Sequence, residues 1–253
     1  MVDAPREPAP FPPLAIRAQL RWGIVGPIVE ELAPTSVIEV GVGQGAVGAR
    51  IASMTHTYVG VEIDRQSYEQ ALVNIAPFGG SVYNGMLSEV WSDSADLVCA
   101  FEVLEHIEDD AGALVDWVSH INPGGHLLLS VPANPDRYGP MDEYAGHFRR
   151  YSPESITAAV LAAGLVDVRA TLYGSPLGYA LEAVRNPIDA RKLKRAEGLS
   201  VEDMTKASGR TFQFGRRSWK SAVATTATAP FVWMQRHVPG GIGLVVVARR
   251  PAP

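Results

Sequence analysis

SVIEVGVGQG, residues 36–45, is the stretch on which the fold turns. Its first half is a short β-rich run, and Gly41, Gly43 and Gly45 crowd its second half. Glycines there let the backbone turn sharply and let a ligand press against main-chain amides. Further β-rich runs stand at 57–63, 81–85, 95–101 and 125–131, with helix-like stretches near 45–54, 66–76 and 107–120 between them. This alternation predicts an α/β fold, an open and mostly parallel sheet with helices on both faces. Such sheets bind ligands beyond the carboxyl ends of their strands, which directs attention to the loops after 41, 63, 85, 101 and 131.

Upstream, residues 1–13 hold five prolines and read as a disordered or extended lead-in. A helix is expected over 14–32, where Leu14, Ala18, Trp22, Val25 and Val29 fall near helical spacing. Pro27 predicts a break or kink within it. Asn122-Pro123-Gly124-Gly125 reads as a plain turn before the fifth strand. Ser152-Pro153-Glu154 opens a further helix, with Ser152 as its N-cap. Strands near 165–173 and 243–249 close the chain, so 14–253 reads as one domain. Between those strands, 174–239 is expected to be a helical insertion acting as a lid or substrate platform. It carries Tyr179, Phe212, Phe214, Trp219, Trp233 and the basic run Arg191-Lys192-Leu193-Lys194-Arg195. The aromatics can stack on a ligand or form the insertion's own core, and a homodimer contact is a third use.

The 253 residues carry a net charge of −5, with 47% apolar and 19% charged side chains. That balance fits a globular protein and counts against DNA, whose phosphates need clustered Lys and Arg. Cys99 is the only cysteine, which excludes an intramolecular disulfide and a cysteine zinc site. No apolar run reaches the roughly 18 residues of a membrane span, and the N-terminus lacks a signal peptide's order. A cytoplasmic protein is the expectation.

Gly41, Gly43 and Ala46 satisfy a dinucleotide-binding spacing, and Glu62 follows about 20 residues later. An NAD-dependent oxidoreductase is therefore one reading. Glu39 argues otherwise, since a carboxylate at the tip of the first strand would repel a pyrophosphate. It suits a ligand bearing an ammonium and a sulfonium. Glu62 can accept both ribose hydroxyls of either nucleoside. The two acids together favour S-adenosylmethionine.

Over roughly 36–173 the chain resembles the class I S-adenosylmethionine-dependent methyltransferases. The matching pieces are IEVGVGQG (38–45), YVGVEID (58–64), NGML (84–87), DLVCAFEVLEHIED (96–109) and NPGGHLLLSVP (122–132). The resemblance implies a Rossmann-like seven-stranded sheet whose last two strands are antiparallel. It implies a cofactor-binding set of Glu39, Gly41, Gly43, Gly45, Glu62, Ile63, Gly85, Met86 and Phe101. In that set Glu62 takes the ribose, the loop glycines follow the methionine part, and Gly85 and Met86 lie near adenine. The family's usual acid at the third strand is absent, with Asn84 and Gly85 in its place.

After the fourth strand stands Phe101-Glu102-Val103-Leu104-Glu105-His106. If a helix begins there, Glu102, Glu105 and His106 share one face and could bind a divalent ion. Helix-start chemistry is the alternative. A later loop, Asp142–Tyr151 in the sequence DEYAGHFRRY, adds His147. Small-RNA 2′-O-methyltransferases combine an E-x-x-E-H segment with a later histidine to hold magnesium, and quinone-pathway O-methyltransferases show a similar segment. By that resemblance Glu102, Glu105, His106 and His147 form a metal site, with magnesium as the ion; a loop histidine without chemistry is the alternative for His147. The expected reaction is methyl transfer to oxygen, with His147 or His106 as general base. A saccharide hydroxyl is the first expected acceptor, because Asp142 and Glu143 beside a metal suit polyols. A phenolic or quinone-precursor hydroxyl is second and an RNA terminus third.

Overall fold

Seven strands form one sheet: β1 (Ser36–Val40), β2 (Thr57–Glu62), β3 (Ser81–Asn84), β4 (Ala95–Phe101), β5 (Ile121–Pro132), β6 (Val166–Gly174) and β7 (Gly241–Arg249). The computed structural model describes residues 9–195 and 219–253. Strand order is β3-β2-β1-β4-β5-β7-β6. All neighbours are parallel except β7, which runs antiparallel to both β5 and β6. The expected seven-stranded α/β fold with its antiparallel closing pair is therefore present.

Alternation along β7 explains how one sheet feeds two cores. Leu244, Val246 and Ala248 point to one face, where they join Leu114, Trp117, Ile156 and Val160. Val245 and Val247 point to the other, with Leu20, Val25, Ile51 and Ile75. The period of two in a strand buries both sets at once, as expected for a central strand. The first face is covered by α5 (Asp110–Ser119) and α7 (Pro153–Ala162), the second by α1 (Ile16–Leu32), α2 (Ala46–Ala52) and α3 (Arg65–Ile75). Shorter helices α4 (Leu87–Val90) and α6 (Pro140–Ala145) lie in the loops after β3 and β5. Two longer ones, α8 (Leu177–Arg195) and α9 (Trp219–Met234), fall between β6 and β7. Among the described residues no helix is long and apolar enough to cross a membrane.

The structure bears on three local expectations. Helix α1 runs through Pro27 without a break. Proline removes the hydrogen bond to the carbonyl four residues back. That carbonyl belongs to Gly23, and Arg236 Nη2 donates to it at 3.0 Å. The freed acceptor is thus satisfied from the segment after α9. Residues 122–125 are a bulge inside β5 and not a turn before it. Ile121 pairs with Ala95 and His126 with Leu97, so several residues of β5 bulge opposite Asp96. Gly124 takes φ +80 there, and its N–H donates to Arg250 O. Finally, residues 9–13 of the lead-in are extended but packed on the domain. Phe11 stacks on Phe78 at 4.6 Å, and Arg50 Nη1 donates to Pro12 O at 2.8 Å.

Strand β1 lies between β2 and β4, and the chain changes direction of winding there. The crevice at such a switch point opens at the carboxyl ends of the strands. Here those ends are Glu39–Gly45 and Phe101–Glu102.

Candidate functional site

The loop after β1 is pinned by two hydrogen bonds, from Gly41 and Val42 N–H to Val61 O at 2.9 and 3.2 Å. Gly41 has φ +69, and a Cβ on it would stand 2.5 Å from Val103 Cγ2. Gly43 has φ +54 and nothing within 4 Å of a Cβ position. Gly41 thus serves packing, whereas Gly43 presents bare backbone to open space. Gly45 caps α2 with φ +79 and does not line the cavity described next. The Gly43 N–H donates to Glu62 Oε2 at 2.8 Å, and the Asp64 N–H donates to Oε1 at 2.9 Å. Burial raises the Glu62 carboxyl above its usual range, opposed by those two amides.

A cavity of about 420 Å³ stands over this loop, lined by Glu39, Gly41, Gly43 and Phe101. Pro12, Pro13 and Leu14 make one wall, so the lead-in helps build the site. Its volume falls within the usual range for a small-ligand pocket. Glu62, Ile63, Gly85 and Met86 lie outside its lining; Glu62 reaches it only through the Gly43 N–H, and Ile63 and Met86 are exposed at the ends of β2 and β3. Arg21 also lines it, a residue that sequence reasoning passed over. The signal was present: Arg17 and Arg21 sit one turn apart on a largely apolar helix.

Glu39 is buried and accepts the Tyr58 hydroxyl at 2.6 Å. Burial pushes its carboxyl up to about 7, against the pull of Tyr58 and Arg21. Near neutrality it is therefore half-ionised. A cation placed beside it would favour the charged form.

The Glu-x-x-Glu-His segment does not form one helical face. Glu102 has φ +60, its N–H donates to Ser130 O, and a single 3₁₀ turn starts only at Leu104. The spacing argument assumed right-handed helix from Glu102 onward, and the left-handed residue swings that carboxylate elsewhere. Its Oε1 accepts Ser130 Oγ at 2.9 Å and faces Arg21 Nη1 at 3.5 Å. Glu102 is thereby separated from the proposed metal set.

Glu105, His106 and His147 do come together, each offering a donor atom within 4.8 Å of the others. Glu105 is fully buried, and neither carboxylate oxygen has a hydrogen-bond partner. Burial and the charge of Glu102 push its carboxyl well above the ordinary range. His106 is pushed down to about 4 by burial and by His147. It stays neutral at pH 7 and is a weak proton acceptor, which separates it from His147 as a base. The rings of His106 and His147 meet edge to face at 4.6 Å.

His147 is positioned from three sides. The Phe148 N–H donates to Glu105 O at 2.8 Å, tying its loop to the 3₁₀ turn after β4. Asp142 Oδ1 lies 3.0 Å from Nδ1, and Nε2 is 3.9 Å from Glu105 Oε1. Burial would raise the Asp142 carboxyl, but hydrogen bonds from His147 and Arg150 hold it at about 2. Arg150 pairs with Asp142 and also with Glu182 of α8, each at 2.7 Å. Arg137 reaches the same Glu182 at 2.6 Å. The insertion is thus locked onto the histidine loop through buried ion pairs. None of these partners was legible from sequence spacing.

The insertion's other candidates are mixed. Trp233 is exposed, its ring tilted against that of His237 at 4.7 Å, while Tyr179 bonds to Gly241 O. Lys192 of the basic run pairs with Asp189 at 3.0 Å. Phe212, Phe214 and the side chain of Trp219 lie outside the described residues.

A family model described as a methyltransferase domain matches residues 19–170. Among curated relatives, a ubiquinone biosynthesis O-methyltransferase of Nitrosomonas europaea is 25% identical over 134 residues, covering 51% of this chain and 57% of the relative. A probable S-adenosylmethionine-dependent methyltransferase of Mycolicibacterium smegmatis is 26% identical over 151 residues, covering 57% of each. The chain thus spans a little over half the length of these relatives. Among solved structures, the YcgJ protein of Bacillus subtilis superposes with a TM-score of 0.60 at 15% identity, covering 90% of this chain and 98% of that one. The N-methyltransferase NodS of Bradyrhizobium japonicum, bound to S-adenosylhomocysteine, gives 0.54 at 14% identity and covers 88% and 81%. Both structural likenesses speak to the fold.

Proposed function

The chain belongs to the methyltransferase-domain family, as a class I S-adenosylmethionine-dependent methyltransferase, and on that premise we propose that it methylates a hydroxyl oxygen of a small molecule, with His147 accepting the proton. The NAD-dependent alternative falls with the family assignment. The observation that carries the proposal is the Asp142–His147 pair. When Nδ1–H donates to the carboxylate, Nε2 is left with its lone pair, ready to take a proton. The sulfonium supplies an activated methyl group; alignment and deprotonation are left to the protein. Oxygen as the methylated atom is supported by the name of the Nitrosomonas relative.

That same name supports a quinone-precursor hydroxyl as the acceptor. The preference for a saccharide leaned on Asp142 and Glu143. Asp142 is fully buried and committed to His147 and Arg150, so it offers a polyol nothing. A labelled-methyl assay over catechols, saccharides and short RNAs tests the choice. Transfer to catechols is expected, and transfer confined to saccharides or RNA would overturn it.

A metal-assisted form is favoured by one observation, the unpartnered Glu105 carboxylate. Glu105, His106 and His147 would hold the ion. Two imidazoles and one carboxylate suit a borderline divalent ion better than magnesium, which prefers oxygen ligands. A bound ion would lower the pKa of an acceptor hydroxyl. One nitrogen cannot both bind the ion and take the proton, so the two forms exclude each other at His147 Nε2. In the base-only form, turnover survives EDTA; loss in EDTA with recovery on adding a borderline ion would establish the metal form.

Glu39 makes a separate prediction. Its folded-state value of about 7 lies above the ordinary 4.5, so burial favours the protonated form more than water does. Its contribution to stability is present below pH 4.5 and is lost as pH rises through about 7. Binding the cofactor's ammonium should reverse that preference and release a proton. The dissociation constant of adenosylhomocysteine is then expected to be about tenfold lower at pH 8 than at pH 6. Titration calorimetry on Glu39→Gln should show a flat profile; an unchanged slope in that variant would assign the proton elsewhere.

A further inference from the structure

We propose that Arg17 anchors an anionic group of the methyl acceptor, a carboxylate or a phosphate. The inference rests on the methyltransferase reading above and adds the acceptor's charge to it. Two arginines one turn apart on α1 face the site, and they have different surroundings. Arg21 lines the cofactor cavity, with Nη1 3.5 Å from Glu102 and its guanidinium 5.8 Å from the Phe101 ring centre. Arg17 instead lines a second, smaller cavity together with Glu102, His147, Arg150 and Tyr173.

Of Arg17 and Arg150, which line that small cavity, and Arg21 one turn along α1, only Arg17 lacks an ion pair among the described residues. Arg150 is taken by Asp142 and Glu182, and Arg21 faces Glu102. Arg17 has no ion pair and no hydrogen bond among the described residues, and its Nε and Nη2 are buried without a partner. A guanidinium cannot shed its proton to relieve that cost, as a lysine or histidine could. Leaving a buried charged donor unsatisfied is expensive, more so than for a neutral group. Burial and the neighbouring Arg185 both disfavour its charge, while Glu102, Tyr173 and Glu182 offset part of that. An incoming anion would satisfy both atoms at once.

The two orphaned atoms also specify the geometry of the ligand. Nε and Nη2 form one edge of the guanidinium, the edge that grips a carboxylate or phosphate through two parallel hydrogen bonds. The cavity measures about 30 Å³, room for a group of only a few atoms. A terminal anionic group fits it, and the body of the acceptor would extend out toward the cofactor. His147 borders the same cavity. An acceptor gripped at Arg17 would therefore be oriented with a hydroxyl within reach of the base, which makes Arg17 a positioning and specificity-determining residue.

The test has a binding arm and a turnover arm, both on the full chain. With adenosylhomocysteine bound, benzoate or inorganic phosphate should raise the melting temperature of the wild type, and benzamide should not. Arg17→Gln should abolish that response, and Arg17→Lys should keep part of it. In turnover, 3,4-dihydroxybenzoate is compared with catechol, and glucose 6-phosphate with glucose, which separates the two kinds of anion. The wild type should prefer the anionic member of a pair by about tenfold or more in KM, and Arg17→Gln should erase the preference. Failure of adenosylhomocysteine to bind the wild type would sink the methyltransferase reading itself. If it binds but neither anion raises the wild-type melting temperature, the anchor is refuted without recourse to any variant. A tenfold loss of adenosylhomocysteine affinity in Arg17→Gln would assign the guanidinium to the cofactor's carboxylate and overturn the proposal.

Discussion

Glu62→Ala is expected to raise the dissociation constant of adenosylhomocysteine by about 100-fold or more, while leaving the chain folded. Two losses combine. A carboxylate that accepts two ribose hydroxyls contributes charge-assisted hydrogen bonds of about 1.5–3 kcal/mol each. Glu62 also holds the binding loop, since its two oxygens accept the N–H groups of Gly43 and Asp64. Removing it frees Gly43, whose open backbone lines the cavity, so an ordering cost would be added on binding. Glu62→Gln should be nearly as damaging. Whichever way its amide is turned, one NH₂ group faces a backbone N–H. Calorimetry measures the affinity and circular dichroism checks the fold; a change smaller than threefold in both variants would remove Glu62 from the ribose site.

The mostly parallel sheet and the cavity at its carboxyl edge were legible because they follow from local rules. Strand–helix alternation demands parallel strands with crossovers, and a crossover sheet has its crevice at a predictable edge. Glu39 and Gly43 line the cavity at that edge, and Glu62 stands behind it, holding the Gly43 N–H. The histidine cluster was legible only in part. His147 and Glu105 were named, but their neighbourhood depends on one residue, Glu102, taking a left-handed conformation. Nothing in residue spacing announces that; it follows from the Glu102 N–H bonding to Ser130 O across the sheet. The same holds for Arg150, whose partner Asp142 is near in sequence while its other partner, Glu182, is not. Arg17 was hidden for another reason. Its importance lies in contacts that it does not make, and a missing partner has no sequence pattern at all.

His147→Ala is expected to lower kcat by about 100- to 10,000-fold, the range that a well-placed general base supplies. Adenosylhomocysteine affinity should stay within about threefold, because His147 lies outside the cofactor cavity. Asp142→Asn should have a smaller but distinct effect. Asparagine can still meet Nδ1, yet it can also donate to it and leave the proton on Nε2, the wrong tautomer for a base. It also removes the negative charge that steadies an imidazolium and leaves Arg150 with Glu182 alone. The expected outcome is a lower kcat with a shifted pH–rate profile. Lost stability alone would lower the fraction of active enzyme without moving that profile, so the two explanations separate. A full wild-type rate in His147→Ala would leave the Asp142–His147 pair as a structural clasp between α6 and the loop that follows it, and would return the search for a base to the acceptor itself.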